Sequence, residues 1–200
     1  AYLISNNNKS IFDFQISGKK MSYNNIIDLD SGIKCLGEFV EPTSIIVKHT
    51  NPCGVASAKD INKAFIKSYA SDKKSAFGGI IFLNRKVNSA LALEISKNFF
   101  EMVVAPGFED IAIKTLKLKK NIILLKIPNY RNKFTDYRST LFGDLYQKRD
   151  LEKINKKFIK LISNKKASLK SSSFPETINP AATFNATATE ISLEIPLYIS

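Results

Sequence analysis

Cysteine and histidine are scarce in these 200 residues: two of the first, Cys35 and Cys53, and one of the second, His49. Two thiols cannot form the disulfide framework of a small secreted domain, and they suit a reducing compartment. The first residues lack the charged and apolar pattern of a secretory signal. No apolar run approaches the ~20 residues that cross a membrane. A soluble, cytoplasmic protein is expected. Acidic residues are also outnumbered, but only regionally. Between 109 and 170, 17 Lys and Arg stand against 6 Asp and Glu, whereas 171–200 contains no Lys or Arg at all. Isoleucine, lysine and asparagine are used heavily throughout, so the net charge of +12 reads as compositional bias rather than a nucleic-acid footprint. No helix-turn-helix, RNA-recognition or zinc pattern accompanies it.

With 44% hydrophobic residues, the chain has ample material for one good-sized core. Strands are expected at Ser44–Val47, Ile80–Leu83, Met102–Ala105 and Asn121–Ile127. Helices alternate with them. One runs from Asp28 or Asp30 to about Phe39, with Ile33, Leu36 and Phe39/Val40 on one face. The next is capped by Asp60 and carries the stripe Ile61, Ala64, Phe65, Ser68, Tyr69. A third starts at Asn88 and reaches about Phe99 through Leu91 and Ile95, and a short fourth spans Glu109–Leu116. The alternation predicts an α/β layered domain with a largely parallel sheet. Ala1–Ile4 reads as an edge strand and Gly18–Asn25 as a loop rich in turn formers. Two divisions follow: a domain over 1–150, and a basic amphipathic helix with an irregular tail over 151–200.

The stretch Ile45 to Ala56 organises the domain. Ile45, Ile46 and Val47 make a buried strand that ends on Lys48 and His49. Asn51-Pro52 is expected to impose a turn, and Gly54 the backbone freedom to leave it. An imidazole can take a proton near neutral pH, and an adjacent ammonium favours its free-base form. The same ammonium can stabilise a developing oxyanion. Consecutive residues of an extended strand point to opposite faces, so convergence of Lys48 and His49 requires a bend. A Cys53–His49 nucleophile pair is the competing chemistry, but no third residue is marked to orient it. Cys53 reads more simply as a small buried residue of the turn.

Lys48-His49-Thr50-Asn51-Pro52-Cys53-Gly54 resembles the Lys-His-x-Asn-Pro-Cys-Gly signature of the bifunctional purine-biosynthesis enzymes. Those enzymes combine phosphoribosylaminoimidazolecarboxamide (AICAR) formyltransferase with inosine monophosphate (IMP) cyclohydrolase. Four other stretches agree in the family's order: Gly18–Ile26, Ser75–Ile80, Val103–Pro106 and Lys119–Ile122. Tyr137–Asp150 is similar to a further family segment, with Asp144 where a second glycine is usual.

The resemblance implies a cytidine-deaminase-like α/β fold, with 1–150 as the first part of the formyltransferase domain. It implies that Lys48 and His49 are catalytic and that Asn51, Gly78 and Glu101 contact substrate. His49 would be the base on the AICAR amine, and 10-formyltetrahydrofolate the formyl donor. A homodimer is the implied assembly. The zinc site of the deaminases needs His-x-Glu and Pro-Cys-x-x-Cys. Here His49-Thr50-Asn51 lacks the Glu and Pro52–Ala56 lacks the second Cys, so no metal is expected. The family's cyclohydrolase region has no counterpart in these residues, and neither do its Arg-Tyr-Gly-Glu-Asn-Pro-His-Gln and Lys-Ser-Asn-Ala-Ile segments. The chain therefore reads as a truncated formyltransferase region, without IMP cyclization.

Overall fold

The computed structural model describes residues 10–128 and 135–148. A 3-10 turn, Ile11–Phe14, precedes β1 (Gln15–Ser17) and α1 (Tyr23–Leu36). The hairpin β2 (Thr43–Lys48) and β3 (Asn51–Ser57) follows, then α2 (Ile61–Ser71) and the single turn α3 (Lys73–Ala76). Next come β4 (Ile80–Leu83), α4 (Ser89–Ser96), β5 (Met102–Ala105), α5 (Asp110–Lys117) and β6 (Ile123–Lys126). A separate hairpin pairs β7 (Thr135–Thr140) with β8 (Gly143–Lys148). The expected edge strand at Ala1–Ile4, the helix at 151–164 and the tail to 200 lie outside the described residues.

Local signals set most boundaries. Asp60 and Asn88 cap α2 and α4 as expected, accepting bonds from the amides of Lys63 and Leu91, each at 2.8 Å. The helix at α1 begins earlier than Asp28. Ser22 Oγ accepts from the Asn25 amide at 3.2 Å and Asn25 Oδ1 accepts from the Ser22 amide at 3.0 Å, a reciprocal cap that starts the helix inside the expected loop. It stops at Leu36, so Phe39 is buried from a loop and Val40 is exposed. The α4 helix likewise ends at Ser96, and Phe99 stands half exposed outside it.

The sheet order is β1-β6-β5-β4-β2-β3. The parallel arrangement expected from the alternation holds for β4, β5 and β6, whereas β2–β4, β2–β3 and β1–β6 pair antiparallel. The reason is β3. It carries the chain back to the start of β2, α2 crosses to the far end, and β4 enters beside the end of β2. Pro52 and Gly54 pointed to a turn, but β3 lies at the sheet's edge, where a missing N–H and a missing side chain are tolerated.

Side chains alternate between two cores. Ile46, Ile81, Val103 and Leu124 face α2, α4 and α5, packing with Phe65, Leu91, Ile95 and Leu116. Ile45, Val47, Phe82, Met102, Val104 and Leu125 face α1 and pack with Leu29. Gly32 lets α1 lie directly on the sheet, because a Cβ there would fall 2.2 Å from the Phe82 ring. Burying one Ile, Leu or Phe side chain contributes about 1.5–3 kcal/mol, so the two faces supply most of the driving force for folding. The outer hairpin joins α1 through Lys34, whose ammonium lies 3.3 Å from Asp136 and 3.0 Å from Asp30. No helix among the described residues is long and apolar enough to cross a membrane.

Candidate functional site

One edge of the sheet gathers most of the stretches singled out in the sequence. It holds the end of β2, the starts of β4, β5 and β6, the end of β1 and the start of α1. Gly18–Asn25, Lys48–Asn51, Ser75–Gly79, Glu101 and Asn121 therefore meet there, although they are spread over most of the described chain. Val103–Pro106 does not join them; it forms β5 and exits at the opposite edge. This edge is the carboxyl end of β2 but the amino end of the parallel strands. A cavity of about 260 Å³, lined by Ile33, Phe39, Leu83, Arg85 and Val104 among others, opens at the opposite edge and contains none of the expected site residues.

The bend that separates Lys48 from His49 lies in a different place from the one expected. Asn51 and Pro52 are already in β3, with Asn51 paired to Lys48 and Pro52 to Val47. The chain reverses through His49 (φ 53°) and Thr50 (φ 63°) alone. Positive φ at both central residues is what a tight hairpin loop of the I′ type requires, and glycine or asparagine usually supplies it. A histidine followed by a β-branched threonine is an unusual occupant, costing about 1–3 kcal/mol per residue. Neighbouring groups over-determine the turn. The His49 carbonyl accepts from Thr50 Oγ1 at 2.6 Å and from Asn51 Nδ2 at 3.1 Å. Thr50 donates its amide to Asp28 Oδ1 at 2.7 Å and accepts from Ser31 Oγ at 2.6 Å.

Lys48 reaches across to the next strand entry. Its Nζ donates to the carbonyl of Phe77 at 2.9 Å. Gly78 follows at φ 75°, a conformation L-residues rarely adopt, and donates its amide to the Phe99 carbonyl at 2.9 Å. Glu101 then donates its amide to Gly79 O at 3.1 Å and turns its carboxylate to Asn25 Nδ2 at 2.9 Å. Lys48, Gly78 and Glu101 are thus joined through one strip of backbone. His49, on the turn, and Asn51, the first residue of β3, are both exposed next to Lys48. Phe77 and Phe99, both exposed, tilt together over Gly78 with ring centroids 5.2 Å apart.

Cys53 is not in the turn. It is the extra residue of a β-bulge, since Ile46 pairs with Gly54 while Val47 pairs with Pro52. Its Sγ donates to Ile46 O at 3.5 Å. Burial, with the Asp72 carboxylate adding to it, pushes the thiol up, while a backbone hydrogen bond and Lys48 pull the other way. A protonated, half-buried thiol is a poor nucleophile. Gly54 serves for space rather than freedom: a Cβ there would lie 2.0 Å from the Ser68 carbonyl oxygen. Among the described residues no group of three or more His, Cys, Asp or Glu is placed to hold a metal ion.

Asn25, Asp28 and Ser31 were not singled out as site residues from the sequence. Asn25 is buried between Ser22 and Glu101, and the other two grip the turn. The Ser22-x-x-Asn25 spacing is the signal that marks the first of them, as a variant of the reciprocal cap.

Comparison with known proteins agrees with this collection of motifs. The family model described as the AICARFT/IMPCHase bienzyme matches residues 1–183. The bifunctional purine biosynthesis protein PurH of Thermoanaerobacter sp. (strain X514) is 43% identical over 151 residues, 76% of this chain and 30% of that protein. PurH of Caldicellulosiruptor bescii is 46% identical over 138 residues, covering 68% of this chain and 27% of the relative. PurH of Buchnera aphidicola subsp. Schizaphis graminum is 43% identical over 155 residues, covering 76% and 29%. The chain thus spans somewhat under a third of the length of these curated relatives. Since the family model covers nearly all of the chain and the relatives align over most of it, the chain belongs to the AICARFT/IMPCHase family of purine biosynthesis.

Proposed function

We propose that the Lys48–His49 edge is the formyl-transfer portion of an AICAR formyltransferase, with 10-formyltetrahydrofolate as donor and IMP synthesis as its purpose. One observation carries the reading. The Lys48 ammonium is tied to the backbone just before Gly78, and His49 follows it in a turn fixed by several hydrogen bonds. In the reaction, the 5-amino nitrogen of AICAR attacks the formyl carbon and a new C–N bond forms. His49 takes the proton that this nitrogen loses. Lys48 stabilises the oxyanion of the tetrahedral intermediate or assists the leaving folate nitrogen. Collapse breaks the bond to that nitrogen, which takes a proton and departs as tetrahydrofolate.

Asn51, Gly78 and Glu101 are the proposed substrate contacts. Gly78 offers close backbone approach, and Glu101 offers an acceptor for amino or hydroxyl hydrogens. The narrower fold reading, a cytidine-deaminase-like layered domain, and a homodimeric assembly are part of the same proposal. The mixed sheet with helices on both faces supports the first.

The test is an assay of the purified chain with AICAR and 10-formyltetrahydrofolate, following tetrahydrofolate release, with His49→Ala as control and circular dichroism to establish folding. Turnover that disappears in His49→Ala supports the assignment. A folded chain without turnover means that groups beyond these 200 residues are needed, or that the motif no longer works.

A further inference from the structure

We propose that Asp28 and Ser31, on one face of α1, are positioning residues that hold the His49–Thr50 turn in its left-handed conformation and so fix the His49 imidazole. For its part in catalysis, the proposal rests on the formyl-transfer reading above. The geometry is specific. Asp28 Oδ1 takes the Thr50 amide at 2.7 Å, and Ser31 Oγ gives its proton to the Thr50 carbonyl at 2.6 Å. The same residue is therefore gripped at both its donor and its acceptor, and rotation about its N–Cα bond breaks one of the two bonds. Residues three apart on a helix share a face, so one helix supplies both contacts.

The helix itself is anchored independently of the turn. Gly32 seats it against the Phe82 ring, and Asn25 ties its first turn to Glu101. On the other side, Lys48 is held by its pairing with Asn51 and by Phe77. His49 lies between these two fixed points. The hairpin does not need the clamp in order to close, because the β2–β3 ladder runs from Thr43 to Asn51 without it. What the clamp supplies is a conformation that His and Thr do not favour unaided. Asp28 spends its charge on a backbone amide, a charge-assisted bond stronger than a neutral one.

His49 is the only histidine, so one imidazole C2–H resonance reports on it without assignment ambiguity. The experiment compares wild type, Asp28→Asn, Asp28→Ala and Ser31→Ala by amide hydrogen exchange at Thr50, by the His49 C2–H line and by formyl-transfer kinetics. The expected result is a Thr50 amide protected in wild type and in Asp28→Asn, which keeps the acceptor. In Asp28→Ala its protection falls at least about tenfold, and the His49 line broadens or splits. There kcat falls about 10- to 100-fold with little change in KM, and Asp28→Asn restores most of it. Ser31→Ala shows the same pattern more weakly, and decides the matter where Asp28→Ala fails to fold.

A Thr50 amide as protected in Asp28→Ala as in wild type overturns the proposal. So does a loosened turn with unchanged kcat, since that is a structural bond and nothing more. Absence of turnover in the wild-type protein bears on the formyl-transfer reading alone. The positioning of His49 is then judged by the Thr50 and imidazole signals, which need no substrate.

Discussion

Lys48 and Phe77 are joined by a 2.9 Å hydrogen bond from the lysine ammonium to the phenylalanine carbonyl. The bond links the end of β2 to the turn that opens β4, and it aims a flexible four-carbon side chain along the edge where Gly78 and Glu101 sit. Lys48→Met keeps the length and apolar stem while removing the charge. Folding is expected to be retained, and formyl transfer is expected to fall by a factor on the order of 10²–10³, the size of a lost oxyanion donor. A near-normal rate in single-turnover measurements removes Lys48 from the chemistry.

Gly78→Ala is expected to destabilise the fold by about 1–2 kcal/mol, the cost of a left-handed L-residue. Space is not the cause, since the nearest atom to an added Cβ is Phe99 Cε1 at 3.5 Å, an ordinary contact. The urea midpoint measures it. An unchanged midpoint means that the turn rearranges freely around the new side chain.

Gly54→Ala tests the opposite case, space without a positive φ. The added methyl meets the backbone oxygen of Ser68 at 2.0 Å, which no rotamer change relieves. Moving α2 away from β3 is expected to cost at least the roughly 1–3 kcal/mol of an overpacked core. Thermal unfolding of the variant reads the effect directly.

Cys53 gives a dependence on pH. Its folded-state pKa is raised, chiefly by burial, so the folded state prefers the neutral thiol. The contribution to stability is complete below the pKa of the unfolded thiol and is lost as pH rises through the folded value. Stability measured from neutral into alkaline solution is expected to decline more steeply in wild type than in Cys53→Ala. Identical slopes count against the buried thiol.

Much of the framework was legible in the chain because its signals are local. Asp60 and Asn88 each cap the helix that follows through an amide three residues ahead, and the runs at Ile80–Leu83 and Met102–Ala105 are apolar without interruption. What escaped reading was decided by tertiary placement. Pro52 and Gly54 look like turn residues until β3 is known to be an edge strand. The reversal at His49–Thr50 carries no glycine to announce it. Its supports come from Asp28 and Ser31, 22 and 19 residues away, and Glu101 meets Asn25 across 76. The proposed site residues are marked by their resemblance to a family signature, whereas nothing in the sequence around Asp28 and Ser31 announces that they grip the His49–Thr50 turn.

The bulge at Cys53 makes segment length, more than residue identity, the quantity under constraint in this hairpin. Along β2 the pleat turns Ile45 and Val47 to one core and Ile46 to the other, and the extra residue on β3 sets Pro52 opposite Val47 and Gly54 opposite Ile46. Deleting a turn codon, that of His49 or Thr50, shifts the register of one strand against the other, whereas deleting Cys53 removes the bulge and leaves Val47 opposite Pro52 and Ile46 opposite Gly54. The turn deletion must either move Lys48 to the wrong side of the sheet or pull Gly54 off the Ser68 carbonyl. In a library of random variants, single-residue deletions in this hairpin are therefore expected to be recovered at the bulge and almost nowhere else.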